Sequence, residues 1–149
     1  MTQPSTRINF HFLVSFKLSD RKKLKAFIIA LFHKENHSLS ELSFVFCNDG
    51  YLLGLNRKFL NHDFYTDILT FPFSTPKSRE ISGEIYISVD RVRENAKDQE
   101  IPFPLEMHRV IFHGALHLCH YKDKSEKEEA LMRSKEDEYL NLYFPYCST

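Results

Sequence analysis

The stretch Phe112-His113-Gly114-Ala115-Leu116-His117-Leu118-Cys119-His120-Tyr121-Lys122-Asp123 sets two imidazoles one helical turn apart and places a carboxylate just beyond them. On a helix, residues four apart share a face with Cβ atoms about 5–6 Å apart, so His113 and His117 can aim neutral ring nitrogens at one divalent ion. Two ligands are too few to hold it. Ser125-Glu126-Lys127-Glu128 has the pattern of a capping box that opens a new helix. Asp123 therefore falls in the short connection where the chain turns back, and it can supply the third ligand. His120 is the rival, but roughly 10.5 Å of helix rise separates it from His113 at 1.5 Å per residue. The two could converge only if the helix broke near Cys119, so Asp123 is favoured.

Working outward, Leu105, Phe112, Ala115, Leu116 and Cys119 form an apolar stripe at helical spacing, and the histidines flank it. Glu106 and Arg109 continue the histidine ridge toward the N-terminus and could support the ligands from behind, though a solvated face is the more ordinary reading for both. Gly114 stands where a His-Glu-x-x-His metalloprotease has its general base, which weighs against peptide hydrolysis. A glycine there also clears room beside His113 for a strand or a substrate backbone.

The run His113-Gly-Ala-Leu-His117-Leu, with Tyr121 and a ligand ten positions after the first histidine, resembles the signature of the YbeY-type rRNA-maturation endoribonucleases, a zinc family. Leu55-Asn56, Thr66-Asp67-Ile68-Leu69-Thr70-Phe71-Pro72 and Gly83-Glu84-Ile85-Tyr86-Ile87-Ser88 resemble the other blocks of that family in order and spacing. The resemblance covers about Leu55 to Asp137. It implies a zinc-dependent, single-strand-specific endoribonuclease acting in rRNA maturation, at the 3′ end of 16S rRNA, and in ribosome quality control. Single-stranded rRNA and the ribosome or its small subunit are the implied partners, with Zn2+ on His113, His117 and Asp123.

Beyond Lys122, which replaces an aspartate, three departures from the family pattern matter. Asp123 stands where a third zinc histidine is usual, His120 replaces a glycine, and Leu60 replaces an arginine implicated in the RNA chemistry. A carboxylate oxygen is an accepted zinc ligand. The missing cation is more consequential, because phosphoryl transfer builds charge that a positioned cation stabilises. Arg57, one turn before Leu60, is the candidate replacement, with Lys58 and Arg109 as rivals. Asp67 and Glu84 are the candidate base or the partners that orient a ligand imidazole. A noncatalytic ribosome-assembly factor with a structural metal, or a metallohydrolase of another substrate, are the alternatives.

Length and composition set the frame. A chain of 149 residues, 42% hydrophobic and 27% charged, suits one globular domain. Zero net charge argues against a protein that coats nucleic acid nonspecifically. Arg21-Lys22-Lys23-Leu24-Lys25 is the densest basic cluster and the candidate contact for RNA or the ribosome. There is no long apolar run and no apolar leader, so the expected location is the cytoplasm, with no membrane contact. Cys47, Cys119 and Cys147 have no paired spacing and should be reduced thiols.

Period and punctuation predict a β-α-β-α-β-β-α-α-α order. Strands are expected over Arg7–Phe16, Glu41–Cys47, Asp67–Phe73 and Glu84–Val89, with a polar hairpin tip at Pro76-Lys77-Ser78. Ser19 or Asp20, Ser88 and Ser125 are the expected helix caps. The reading is a single α+β domain, residues 1–149, with about four strands in a mixed sheet, about five helices, and the metal helix at its centre.

Overall fold

The computed structural model describes residues 6–75 and 77–145; Pro76 and Cys147 lie outside them. Strand β1 (Arg7–Phe12) runs parallel to β2 (Ser38–Cys47), joined to it by helix α1 (Arg21–Lys34). Helix α2 (Asp49–Leu60) then leads to β3 (Ile68–Pro72), which turns back as β4 (Glu80–Ser88). β4 inserts beside β2, parallel to it and antiparallel to β3, giving the sheet order β1-β2-β4-β3. Helices α3 (Val89–Gln99), α4 (Phe103–Leu118) and α5 (Glu126–Tyr143) complete the predicted order of an α+β domain with a four-stranded mixed sheet.

Alternation along the central strands decides which face is buried. Leu42, Phe44 and Phe46 of β2 and Ile81, Ile85 and Ile87 of β4 point into one core with Met107, Ile111, Phe112, Ala115 and Leu116 of α4. The metal helix is thus buried along most of its circumference. Gly114 is what lets it approach the sheet: a Cβ there would lie 2.8 Å from Ile68 Cδ1 and 3.0 Å from Ile85 Cδ1. The room beside His113 is therefore filled by β3 and β4.

Local capping follows the expectation at α3 and α5, departs from it at α1, and adds an unforeseen cap, Asn48, at α2. The Asn48 and Ser88 side chains accept from Tyr51 N and Arg91 N, and Ser125 with Glu128 forms the full capping box. At α1, Asp20 occupies the cap position in a left-handed conformation (φ 51°) and its side chain makes no cap bond. β1 also ends four residues earlier than the alternation suggests. Phe16 still packs on Phe46, with ring centroids 4.8 Å apart, so the apolar period outlives the ladder.

The end of α4 sets up everything downstream. Tyr121 N donates to Leu116 O at 3.1 Å and His120 N to His117 O at 2.9 Å, the paired bonds of a Schellman turn. This geometry requires a left-handed residue at position 120, and His120 adopts φ 76°, at a cost of about 1–2 kcal/mol for a residue with a Cβ. The turn is held from behind by the Glu35 carboxylate, which accepts from Tyr121 Oη at 2.7 Å, Lys135 Nζ at 3.2 Å and Tyr139 Oη. Burial opposes the Glu35 charge, but those three donors hold its pKa below the ordinary 4.5.

Two outcomes follow. Gly114→Ala should destabilise the domain by about 1–3 kcal/mol in chemical denaturation, the usual cost of overpacking a close-packed core. A depressed carboxylate pKa contributes stability above its unfolded value and loses it as pH falls through the folded one. The stability difference between the parent chain and Glu35→Gln should therefore be full at neutral pH and shrink progressively below about pH 4.5, read from denaturation midpoints across pH.

Candidate metal centre

His113 and His117 leave the same flank of α4 with ring centroids 4.5 Å apart. The Schellman turn brings the chain back over that flank, so that Asp123 Oδ2 lies 3.3 Å from His113 Nε2 and 3.2 Å from His117 Nε2. One ligand atom from each residue lies within 4.8 Å of the others.

The remaining ring nitrogens decide what this cluster can hold. His113 Nδ1 donates to Glu136 Oε2 at 2.6 Å, and His117 Nδ1 donates to the Tyr121 carbonyl at 2.9 Å. With both Nδ1 protons committed outward, two Nε2 lone pairs and a carboxylate oxygen face one another. Such a trio needs a positive centre, either a proton or a cation, and the donor set of two imidazoles and one carboxylate suits a divalent metal. The field is visible on His113: burial pulls its pKa down, but the Glu136 hydrogen bond and charge, with Asp123 and Asp67, carry it above the ordinary imidazole value.

Glu136 escaped the sequence reading. It lies 23 residues beyond His113 on another helix, so no local spacing joins them. One signal was present: it occupies a position in the buried stripe Met132, Glu136, Tyr139, Leu140, Tyr143 of α5, where a carboxylate without a partner would be costly. Arg109 secures it, donating to Glu136 Oε1 at 3.1 Å and to Asp137 Oδ1 at 2.9 Å. Glu106 and Arg109 are accordingly not a solvated face: Glu106 is buried, and burial lifts its carboxyl pKa while Arg109 pulls it down. Packing of α4 against α3 and α5 turns that ridge inward.

The cluster stands in a cleft of about 590 Å³ between β3, α4 and α5, whose wall includes Leu60, Asp67, Thr70, Arg109, Arg133 and Glu136. Asp67 is on that wall just before β3. Burial raises its carboxyl pKa, with the His113 charge opposing. Glu84 is not brought here. It neighbours Ile85, which packs on Gly114, and alternation along β4 sends it to the opposite sheet face, where its carboxylate accepts from Tyr86 Oη at 3.0 Å. Arg57 is not on the cleft wall either; its guanidinium pairs with Asp63 in the exposed loop after α2. Leu60, its neighbour one turn on, reaches the wall instead. His120 faces His37, with ring centroids 5.4 Å apart, rather than the ligand trio. The helix does break near Cys119, and the break delivers Asp123 while turning His120 away.

Comparison with known proteins agrees with this architecture. The family model described as endoribonuclease YbeY matches residues 14–143. An endoribonuclease YbeY of Flavobacterium psychrophilum is 46% identical over 136 residues, covering 91% of this chain and 96% of that one. One from Cytophaga hutchinsonii is 47% identical over 127 residues, covering 85% and 88%. A solution structure from Thermotoga maritima superposes with a TM-score of 0.64 at 25% identity, over 94% of this chain and 90% of that one.

The geometry separates the candidate ligands experimentally. His113→Ala, His117→Ala and Asp123→Ala should each strip most of the metal from purified protein, measured by elemental analysis, whereas His120→Ala should retain it. Glu136→Gln keeps the shape but weakens the bond to His113, and should lower metal affinity roughly 10–100-fold. Full metal occupancy in Asp123→Ala would rule out the trio as the binding set.

Proposed function

The chain belongs to the YbeY endoribonuclease family, and from that membership and the metal cleft we propose a zinc-dependent, single-strand-specific endoribonuclease acting in rRNA maturation. Its substrate is single-stranded rRNA at the 3′ end of the 16S molecule, met on or beside the small ribosomal subunit in the cytoplasm, with a role in ribosome quality control. The observation that carries the reading is the convergence of His113 Nε2, His117 Nε2 and Asp123 Oδ2 inside the cleft. No helix is long and apolar enough to cross a membrane among the described residues.

The residues divide the work as follows. His113, His117 and Asp123 would hold the metal, which when bound supplies Lewis acidity for phosphodiester hydrolysis. Glu136 and the Tyr121 carbonyl keep the Nδ1 protons of the two imidazoles, so both Nε2 atoms stay available as ligands. Asp67, on the cleft wall with its pKa raised by burial, is placed to hold or transfer a proton near the reacting phosphate. Arg133 is the cation we favour for the developing phosphate charge. It lines the cleft with its side chain 57% exposed and only a 3.8 Å approach to Glu136, while the Arg109 guanidinium is taken up by Glu136 and Asp137. The vacancy left by Leu60 is thus filled from α5 rather than from Arg57. Phe64 and Tyr65, exposed in the loop that leads into Asp67, offer ring faces for unpaired bases, which supports the single-strand preference.

Metal-replete protein should cleave single-stranded RNA in a gel assay, and a chelator-stripped sample should not. Arg133→Ala should slow cleavage by about 10²–10³-fold, the loss typical of a missing transition-state donor, with metal content unchanged. Arg57→Ala should have little effect. A fast Arg133→Ala enzyme beside a slow Arg57→Ala one would return the role to α2, and RNA bound but left intact by the zinc-loaded parent would overturn the enzymatic reading.

A further inference from the structure

Strand β3 is an edge of the sheet, paired with β4 on one side only among the described residues. Two bonds at its ends fix which of its backbone groups face outward: Ser88 N donates to Asp67 O and Phe73 N to Ser82 O, each at 2.9 Å. In an antiparallel ladder, residues that exchange bonds with the partner strand alternate with residues that do not. Asp67, Leu69, Phe71 and Phe73 therefore direct their backbone groups to β4, and Ile68, Thr70 and Pro72 turn theirs to the open side. The Ile68 carbonyl takes the Thr66 hydroxyl at 3.3 Å. The Ile68 and Thr70 N–H groups and the Thr70 and Pro72 carbonyls have no partner among the described residues.

The open side is the metal cleft. Five consecutive residues, Thr66 to Thr70, line it. Side chains alternate between the two faces of a strand, so a cavity that meets all five runs along the strand's edge. That edge also lies alongside the candidate ligands. Gly114 packs on Ile68, and Leu118 lies against Gly83, the cross-strand partner of Pro72, so the stretch from His113 to Leu118 accompanies β3 along its length.

The pattern of the edge decides what it can hold. The Ile68 and Thr70 N–H groups are about 6.8 Å apart, two residues of strand, and carbonyl acceptors lie between and beyond them. Pro72 has no N–H and ends the donor row after two, which blunts the edge as a template for another polypeptide strand. A single RNA strand offers the complementary alternation, with a phosphate acceptor and a 2′-hydroxyl donor in each nucleotide. Backbone N–H groups serve as phosphate donors beside cations. They are needed in this cleft, because Arg109 is taken up by Glu136 and Asp137, which leaves Arg133 on α5 among the cations of the described lining.

We propose that the open edge of β3 is the track that holds the RNA backbone beside the metal cluster. Ile68 N–H and Thr70 N–H donate to phosphate oxygens, and the Thr70 and Pro72 carbonyls accept from 2′-hydroxyls. The track takes one unpaired strand and reads its sugar, so it selects RNA over DNA. Its occupant rests on the ribonuclease reading.

The test uses the full chain loaded with zinc and a short single-stranded oligoribonucleotide whose bridging oxygens are replaced by methylene, so that it resists cleavage. Its 2′-deoxy counterpart and a short extended peptide are titrated in parallel, with the backbone amides followed by NMR. The RNA should shift the Ile68 and Thr70 amide protons and slow their exchange with solvent by about tenfold or more, while those of Leu69 and Phe71, bonded to β4, change little. Side-chain contact or a general stiffening of the wall would not produce that alternation. The deoxy strand should bind about tenfold more weakly, having lost the hydroxyl donors. Thr70→Pro deletes one phosphate donor without breaking a ladder bond, as Pro72 already does on that edge, and should weaken RNA by about tenfold or more at an unchanged melting temperature. Uniform shifts over residues 68–71, no shifts, or deoxy and ribo strands bound equally would each overturn the proposal, as would a folded Thr70→Pro that binds RNA normally. Protection of Ile68 and Thr70 by the peptide and not by RNA would also overturn it and assign the edge to a polypeptide partner. If Thr70→Pro fails to fold, the alternation in the parent chain decides alone. Ordinary RNA in a gel assay separates the two readings: alternating shifts without cleavage would sink the ribonuclease and keep the track, and cleavage without the alternation would do the reverse.

Discussion

Helix α4 must stop at Leu118, and the site depends on that stop. One more turn of helix would carry the chain away from His113 and His117 with no third ligand in reach. The Schellman bonds at His120 and Tyr121 reverse the chain within a few residues and drop Asp123 onto the flank that the two histidines occupy. The same turn places the Tyr121 carbonyl where it fixes the proton of His117. A single backbone event thus sets the position of one candidate ligand, Asp123, and the ring-nitrogen partner of another, His117. Its cost is a left-handed His120, borne because Glu35 pins Tyr121 from the far side.

A second layer of charge organises the first. Arg109 orders Glu136, Glu136 orders His113, and all three are largely buried between α4 and α5. A buried carboxylate is tolerated only when its lone pairs are matched, and Glu136 has a guanidinium on one oxygen and an imidazole on the other. Removing either partner would leave a charge in a poorly solvated place. The helix–helix packing and the orientation of the candidate ligand His113 therefore lean on the same side chain.

Much of this was legible in the sequence because it is local. The order of the nine elements among the described residues follows from period and punctuation, α5 opens at its capping box, and the candidate ligand trio lies within eleven consecutive residues. What was not legible is what tertiary packing decides. Glu84 follows a strand motif, but a residue's sheet face depends on which neighbour meets the helix, and Ile85 does. Arg57 shares a helix face with Leu60, yet the loop after α2 supplies Asp63 to capture it. Glu106 and Arg109 look solvent-facing until α3 and α5 cover them. Glu136, far along the chain, could be suspected only as a carboxylate in an apolar stripe.

The Glu35 hub has a consequence for the order in which the molecule can be made. Its partners Tyr121 and Tyr139 are 86 and 104 residues further along the chain, and Glu136 belongs to the last helix. Contacts so distant in sequence close late, after the entropy of long loops has been spent. During vectorial synthesis, α1, β2 and β4 can assemble while the ligand histidines still lack both their carboxylate orienter and the anchor of their turn. The geometry of the candidate metal centre therefore depends on α5, and a nascent or truncated product lacking α5 carries the histidines without the contacts that orient them.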